Sequence, residues 1–153
     1  MTTMNPMARG FTLIELLVVI AIVGILSSVL MSSLNTARAK GSDAKTKSQL
    51  SSLRSAAEIY QISNGNYGSV ATDSCTDVVP DFFEDAASGM LQYTTQVPNY
   101  PAGATLSCHT DGTAYAVSAL LLSSSTGEAW CVDSAGSSKL IPTNLGIGQV
   151  ACP

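Results

Sequence analysis

Charge is scarce in this chain of 153 residues, and one long segment has none at all. Only 12% of the residues are charged, and the nineteen residues 16–34 contain no Asp, Glu, Lys or Arg. As a helix this segment would be about 28 Å long, at about 1.5 Å per residue, which matches the hydrocarbon core of a bilayer. The segment is therefore able to span a membrane.

The residues of common catalytic and metal sites are also scarce. The only histidine is His109, and no C-x-x-C pair accompanies it, which argues against zinc. No phosphate loop, nucleophile motif or paired-carboxylate arrangement is present. We therefore expect no catalysis, no cofactor, no metal ion and no small-molecule substrate, and we interpret His109 as a surface or loop residue. Calcium is the alternative for Asp81, Glu84 and Asp85, but regularly spaced oxygen ligands are missing, so we interpret these acids as solvated.

No cysteine precedes residue 75, and all four follow the apolar segment: Cys75, Cys108, Cys131 and Cys152. An even number of cysteines behind an export-type N-terminus favours disulfides in an oxidising compartment. Four cysteines allow three pairings, and the sequence does not choose firmly among them. We favour Cys75–Cys108 and Cys131–Cys152, because each closes a short contiguous loop.

Glu15 is the one charged residue of residues 11–34. A carboxylate several residues into hydrocarbon costs about 2.5–3.5 kcal/mol, so it normally has a partner. Because nothing else in the segment is able to neutralise it, the partner has to come from a new terminus or from another chain. The alternative is an ordinary membrane anchor, in which Glu15 reaches water at the cytoplasmic interface.

The helical pattern continues beyond the apolar segment, since residues 42–62 contain no proline or glycine. Apolar residues recur there every three or four positions: Leu50, Leu53, Ala56, Ala57 and Tyr60. This spacing predicts one buried helical face, and Gly65 is suited to a left-handed cap. We predict a helix from about Thr12 to about Ser63, roughly 75–80 Å long.

The remaining pattern predicts a small antiparallel sheet. Four short runs read as strands and are divided by turn residues: 104–108, 114–122, 129–132 and 139–141. Tyr115, Val117, Ala119 and Leu121 fall on one face, which we expect to pack against the helix. We also expect one short helix within residues 81–91. The predicted fold class is α+β, with a long N-terminal helix packed in its second half against the sheet.

Charge is unevenly distributed along the chain. Residues 31–60 carry five basic and two acidic residues, a net charge of +3. Residues 61–153 carry one basic and eight acidic residues, a net charge of −7. This asymmetry favours an interaction along the basic stretch. Membrane phosphates or an acidic neighbouring subunit would suit it, and a merely solvated face is the simpler alternative.

The motif Gly10-Phe11-Thr12-Leu13-Ile14-Glu15, followed by an apolar run, resembles the processing site of type IV prepilins and pseudopilins. The resemblance implies that a prepilin peptidase cuts between Gly10 and Phe11 and methylates Phe11. It also implies that Glu15 pairs with the N-terminus of a neighbouring subunit. Ser32 departs from the family, which commonly has proline there. The competing interpretation is a signal peptide cut after residues 37–39, which would make Lys40 the first mature residue.

The resemblance also implies an organisation and a function. Residues 1–10 would be the leader, 11–34 the transmembrane and filament-core helix, 35–63 its amphipathic continuation, and 64–153 a pilin-like globular head with a C-terminal disulfide loop. The protein would be a structural subunit of a helical homo-oligomeric filament, serving adhesion, motility or DNA uptake. The alternatives are a pseudopilin of a type II secretion system and a membrane-tethered extracytoplasmic binding domain that does not polymerise.

The implied partners are the prepilin peptidase, an inner-membrane assembly platform and the lipid bilayer before assembly. The chain would cross the cytoplasmic membrane once with its N-terminus inside, and would later lie in an extracellular or periplasmic filament. Arg38 and Lys40 follow the outer end of the apolar segment, an arrangement opposed to the positive-inside rule. Prepilin targeting would have to override that preference.

Overall fold

One helix, α1, runs without interruption from Leu13 to Asn64, a length of 52 residues. It belongs to a computed structural model that describes residues 10–70, 75, 81–96 and 98–153. Gly65 ends the helix in the left-handed region, with φ of +77°, and donates its N–H to the Gln61 carbonyl at 2.7 Å. The predicted helix is confirmed to within one residue at each end. The expected leader lies outside the described residues, except for Gly10.

The chain divides into two compact units between Ala37 and Arg38. In the first unit, called the apolar unit here, every described residue from 10 to 37 is exposed. This part of α1 is long and apolar enough to cross a membrane, judged by length and composition, and none of its apolar window is buried within the chain. The apolar unit therefore has no core of its own among the described residues.

The second unit, Arg38–Pro153, is called the sheet unit here, and its described residues form a sheet of four antiparallel strands. These are β1 (Leu106–Thr110), β2 (Tyr115–Leu120), β3 (Ala129–Asp133) and β4 (Ser138–Ile141), paired in sequence order. Cys108 lies opposite Val117, and Val117 lies opposite Val132. The predicted meander is confirmed, and each strand boundary falls within two residues of its predicted position.

The main core lies between the sheet and the second half of α1. Leu50, Leu53 and Ala57 are fully buried there, as the spacing predicted, and Tyr60 is partly buried at the edge. From β2 the same cluster receives Tyr115, Val117 and Ala119, because alternate residues of a strand point to one face. Ala56 of α1 also belongs to the cluster, and further members come from the segments between α1 and the sheet, including Phe82, Phe83, Met90 and Tyr100.

The prediction of one short helix within residues 81–91 is wrong in detail. The structure has a 3₁₀ turn at Phe82–Glu84 and a separate helix α2 at Met90–Thr94. The Asp85 carboxylate accepts the Ser88 N–H at 2.6 Å, and Gly89 takes a φ of +86°. This local hydrogen bond competes with continued helix, so the chain turns between the two elements.

A second, smaller core covers the opposite face of the sheet. It contains Ala116, Ala129, Cys131, Ile141 and Leu145, so the C-terminal segment returns across this face. The interpretation of His109 as a surface or loop residue is wrong, because His109 lies on β1 and is completely buried. Its Nδ1 accepts the Gly148 N–H at 3.3 Å, and its Nε2 lies 2.9 Å from the Ser107 hydroxyl.

Candidate assembly site

The first turn of α1 is closed by a reciprocal pair of hydrogen bonds between Thr12 and Glu15. The Thr12 N–H donates to the Glu15 carboxylate at 2.9 Å, and the Thr12 hydroxyl donates to the same oxygen at 2.7 Å. In return, the Glu15 N–H donates to the Thr12 hydroxyl oxygen at 3.3 Å. This is the capping box of a Thr-x-x-Glu sequence, and it satisfies backbone donors that a helix N-terminus otherwise leaves free.

Thr12 is the residue that the sequence analysis missed, although the Thr-x-x-Glu spacing was there to indicate it. The capping box gives the Glu15 carboxylate two hydrogen-bond donors but no opposite charge. The Thr12 N–H belongs to the peptide bond after Phe11, so a cut between Gly10 and Phe11 would leave it in place. The carboxylate would therefore stay fixed at the first turn after such a cut.

The two residues at the expected cleavage position are both exposed. Gly10 precedes the helix, and a side chain built on it would meet no atom of the described residues within 4 Å. Phe11 is 84% exposed. Glycine has no side chain that would hinder the close approach of another molecule to the backbone.

Large hydrophobic side chains cover most of the surface of the apolar unit. Sixteen large apolar side chains are exposed there: Phe11, Leu13, Ile14, Leu16, Leu17, Val18, Val19, Ile20, Ile22, Val23, Ile25, Leu26, Val29, Leu30, Met31 and Leu34. A helix that is hydrophobic on all sides is normally buried in a membrane or in a protein interior. Contiguous exposed surface of this kind marks a membrane or protein interaction site.

The basic residues that follow the apolar unit fall into two groups. Lys45 donates from Nζ to the Pro98 carbonyl at 3.4 Å, and the Lys47 ammonium lies 4.5 Å from the ring centre of Trp130. Arg38 and Lys40 are exposed on α1, and no hydrogen bond or ion pair joins them to the described residues. Of the four basic residues between positions 38 and 47, two thus contact the sheet unit, and the other two have no partner among the described residues.

Asp43 attaches α1 to the turn between β2 and β3. It is only 6% exposed, and its carboxylate accepts the Leu122 N–H at 2.7 Å and the Ser123 N–H at 3.2 Å. The sequence analysis missed this role. An acidic residue at the spacing of the buried face, seven residues before Leu50, was the available signal.

The four cysteines form two disulfides, Cys75–Cys108 and Cys131–Cys152. These are the pairs that the sequence analysis favoured. Cys108 lies in the main core and Cys131 in the smaller core, so each face of the sheet has one disulfide. The second disulfide joins β3 to the last residues of the chain.

A cavity of about 460 Å³ is lined by the three acidic residues Asp81, Glu84 and Asp85 together with Tyr60 and Asn64. The Asp81 carboxylate accepts the Ser69 N–H at 2.5 Å and the Tyr60 hydroxyl at 3.1 Å. Burial alone would raise the pKa of Asp81, but the hydrogen bonds from Ser69, Phe82 and Tyr60 outweigh it and lower that pKa. Among the described residues, no group of three His, Cys, Asp or Glu is arranged to hold a metal ion.

Comparison with known proteins finds one matching family model and several similar proteins. The family model described as the prokaryotic N-terminal methylation motif matches residues 5–31. The chain is 47% identical over 62 residues to the type IV wide pilus major component PilA4 of Thermus thermophilus. It is 41% identical over 61 residues to the type II secretion system core protein G of Pectobacterium carotovorum.

A fimbrial protein of Neisseria meningitidis is 41% identical over 81 residues. These three matches cover 40%, 40% and 49% of this chain, and 47%, 39% and 46% of the relatives, so the chain spans less than half the length of each. No solved structure is significantly similar to the chain. The chain therefore carries an N-terminal methylation motif and is similar over part of its length to a type IV pilus component, a secretion core protein and a fimbrial protein.

Proposed function

We propose that this chain, with its N-terminal methylation motif, is a structural subunit of a type IV pilus or a pilus-like filament. The observation that carries the proposal is the apolar unit, with sixteen exposed large hydrophobic side chains, fifteen of them on a helix whose first turn fixes one carboxylate. Each such side chain gains about 1.5–3 kcal/mol when it is fully buried. Helices from many copies, packed side by side, would bury this surface and form the core of a filament.

Processing would precede assembly. A prepilin peptidase would cut between Gly10 and Phe11, remove the leader of residues 1–10, and methylate the Phe11 amine. That amine is then a cation at the same end of the helix as Glu15. The exposure of Gly10 and Phe11 supports this step, because these two described residues leave the bond between them open to another molecule.

The Glu15 carboxylate would pair with the Phe11 amine of a neighbouring subunit and so set the register between helices. Two opposite charges in a low-dielectric core attract strongly, but their desolvation cost offsets much of the gain. The pair would therefore contribute little net cohesion. Its effect would be specificity, because a slipped helix leaves both charges unpaired.

The remaining parts follow from this role. Before assembly the segment 11–34 would cross the cytoplasmic membrane once, with the N-terminus inside, and an inner-membrane platform would take up the subunit. Residues 35–63 would continue the helix, and residues 64–153 would form the head. Both would lie outside the membrane before assembly and on the filament surface afterwards. The function would be mechanical and not enzymatic, in line with the pilin and secretion-core relatives.

Replacing Glu15 by alanine tests the proposal. We expect Glu15→Ala to reduce filaments in sheared surface fractions by at least about tenfold, the equivalent of 1.4 kcal/mol, while the protein stays in the membrane at normal amounts. Glu84→Ala is the control, since it removes an acidic side chain of the sheet unit and should leave filaments normal. Normal filaments from Glu15→Ala would contradict the proposal and would suit the tethered binding domain that does not polymerise.

A pseudopilin of a type II secretion system is the second candidate, favoured by the 41% identity to a secretion core protein G. Both candidates use the same N-terminal helix, so the helix does not separate them. Deletion of the gene does: loss of surface filaments supports a pilus subunit, whereas retention of exported proteins in the periplasm supports a pseudopilin.

A further inference from the structure

Arg38 and Lys40 are the first charged residues after Glu15, and both are exposed on α1. The next two basic residues differ, because Lys45 is bonded to the Pro98 carbonyl and Lys47 stacks on Trp130. Contacts within the sheet unit therefore account for the positive charges of Lys45 and Lys47. They do not account for the positive charges at positions 38 and 40.

The position of these two cations matches the boundary of a bilayer. The uncharged segment 16–34 is about as long as the hydrocarbon core. Arg38 follows Leu34 by one helical turn, about 6 Å, and Lys40 follows by about 9 Å, at 1.5 Å per residue. Long basic side chains at this distance from the hydrocarbon extend their charged ends into the headgroup layer.

The chemistry of the two side chains fits phosphate. A guanidinium binds phosphate oxygens through two parallel hydrogen bonds, and an ammonium binds them as a point charge. Acidic residues of a neighbouring copy fit less well, because many are already held by backbone N–H groups of their own chain. Asp81, Asp85, Asp111 and Asp133 all accept such bonds.

We infer that Arg38 and Lys40 bind the phosphate groups of anionic phospholipids and hold the unassembled subunit at the outer boundary of the membrane. This inference rests on the proposed function, in which the apolar unit crosses a bilayer before assembly. Each cation near such a surface favours anionic over neutral lipid by up to about fivefold. Entry into the filament would then require release of these lipids.

Lipid selectivity in vesicles tests the inference. The full chain is reconstituted in phosphatidylcholine vesicles, and electron spin resonance measures how strongly spin-labelled phosphatidylglycerol is preferred over spin-labelled phosphatidylcholine at the protein. We expect a preference of roughly threefold or more for phosphatidylglycerol, reduced by added salt. The double variant Arg38→Gln/Lys40→Gln should lower the preference to near one.

The matched control is Lys45→Gln/Lys139→Gln, which removes two positive charges at sites farther from the apolar segment. Lys45 lies seven residues beyond Arg38, about 10 Å along the helix, close to one screening length. This control variant should keep the preference for phosphatidylglycerol over phosphatidylcholine. Equal loss in both double variants, no preference in the unaltered chain, or failure of the chain to insert would each overturn the inference.

Filament assays separate this inference from the proposed function. Glu15→Ala should lose filaments but keep the preference for phosphatidylglycerol, since it leaves both cations in place. If Glu15→Ala still forms filaments, the proposed pairing of Glu15 with the Phe11 amine of a neighbour is wrong, but the measured preference for phosphatidylglycerol is unaffected. If Arg38→Gln/Lys40→Gln loses filaments but keeps the lipid preference, acidic residues of a neighbouring subunit are the partner and the inference is wrong.

Discussion

Two buried aspartates, Asp43 and Asp133, accept hydrogen bonds from backbone N–H groups that lie outside the strands. Asp133 accepts the Ser137 N–H at 2.8 Å and the Cys152 N–H at 2.9 Å. Burial alone would raise the pKa of Asp133, but these hydrogen bonds outweigh it and lower that pKa. The ionised form of Asp133 therefore stabilises the fold above the pKa of unfolded aspartate, and this contribution is lost as the pH falls through the folded pKa.

Asp43 gives the sharper mutational prediction, because its carboxylate joins helix to sheet. Asp43→Ala leaves the Leu122 and Ser123 N–H groups without their acceptor, and we expect it to lower the free energy of unfolding by about 2–3 kcal/mol. Asp43→Asn retains an oxygen acceptor and should lose less. Chemical denaturation of the full chain in detergent, followed by the fluorescence of Trp130, measures both values.

The control for Asp43 is Ser51→Ala on the exposed side of α1, which should change the free energy of unfolding by less than about 0.5 kcal/mol. A loss below about 1 kcal/mol in Asp43→Ala would show that water replaces the carboxylate. In that case Asp43 would not be what attaches the helix to the β2–β3 turn.

The C-terminal segment, residues 142–153, acts as a cover for the outer face of the sheet. Leu145 inserts into the smaller core, its N–H donates to the Ser118 hydroxyl at 2.9 Å, and its carbonyl accepts the Ser107 hydroxyl at 3.2 Å. Farther on, the Cys131–Cys152 disulfide fixes the end of the segment. The segment has no strand pairing of its own, so side-chain hydrogen bonds and one covalent link hold it in place.

Removing the Cys131–Cys152 disulfide should release this cover. The bond closes a loop with a sequence separation of 21, for which the chain-entropy model gives about 3 kcal/mol. We expect Cys131→Ala/Cys152→Ala to lower the free energy of unfolding by about 2–4 kcal/mol. We also expect proteases to cleave the double variant within residues 142–153. The unaltered chain under oxidising conditions is the reference, and unchanged protease resistance in the double variant would show that the hydrogen bonds suffice.

Across the whole molecule, the elements that local sequence determines were predicted well. The three-and-four spacing of Leu50, Leu53 and Ala57 identified the buried face of α1, and Gly65 identified its end. Turn residues such as Asp111-Gly112 separated the strands at nearly the right positions. Helical periodicity, turn chemistry and strand alternation all act over a few residues, so they can be read from the chain directly.

The features that were missed depend on contacts between distant parts of the chain. His109 was assigned to the surface because no local pattern shows that residues near Gly148 return over β1. Asp43 was counted only as a charge, although it is bonded to residues 79 and 80 positions away. The Thr12–Glu15 capping box is different, because its spacing is local and was overlooked when Glu15 was considered only as a charge in need of a partner.

The most direct test of the whole account is mass spectrometry of this chain in filaments sheared from cells. The account predicts a mature protein in those filaments that begins at Phe11 and carries one N-terminal methyl group. A chain that begins at Lys40 would show ordinary signal cleavage and would remove the apolar helix from the mature protein. That result, or the absence of the chain from every filament fraction, would contradict the account.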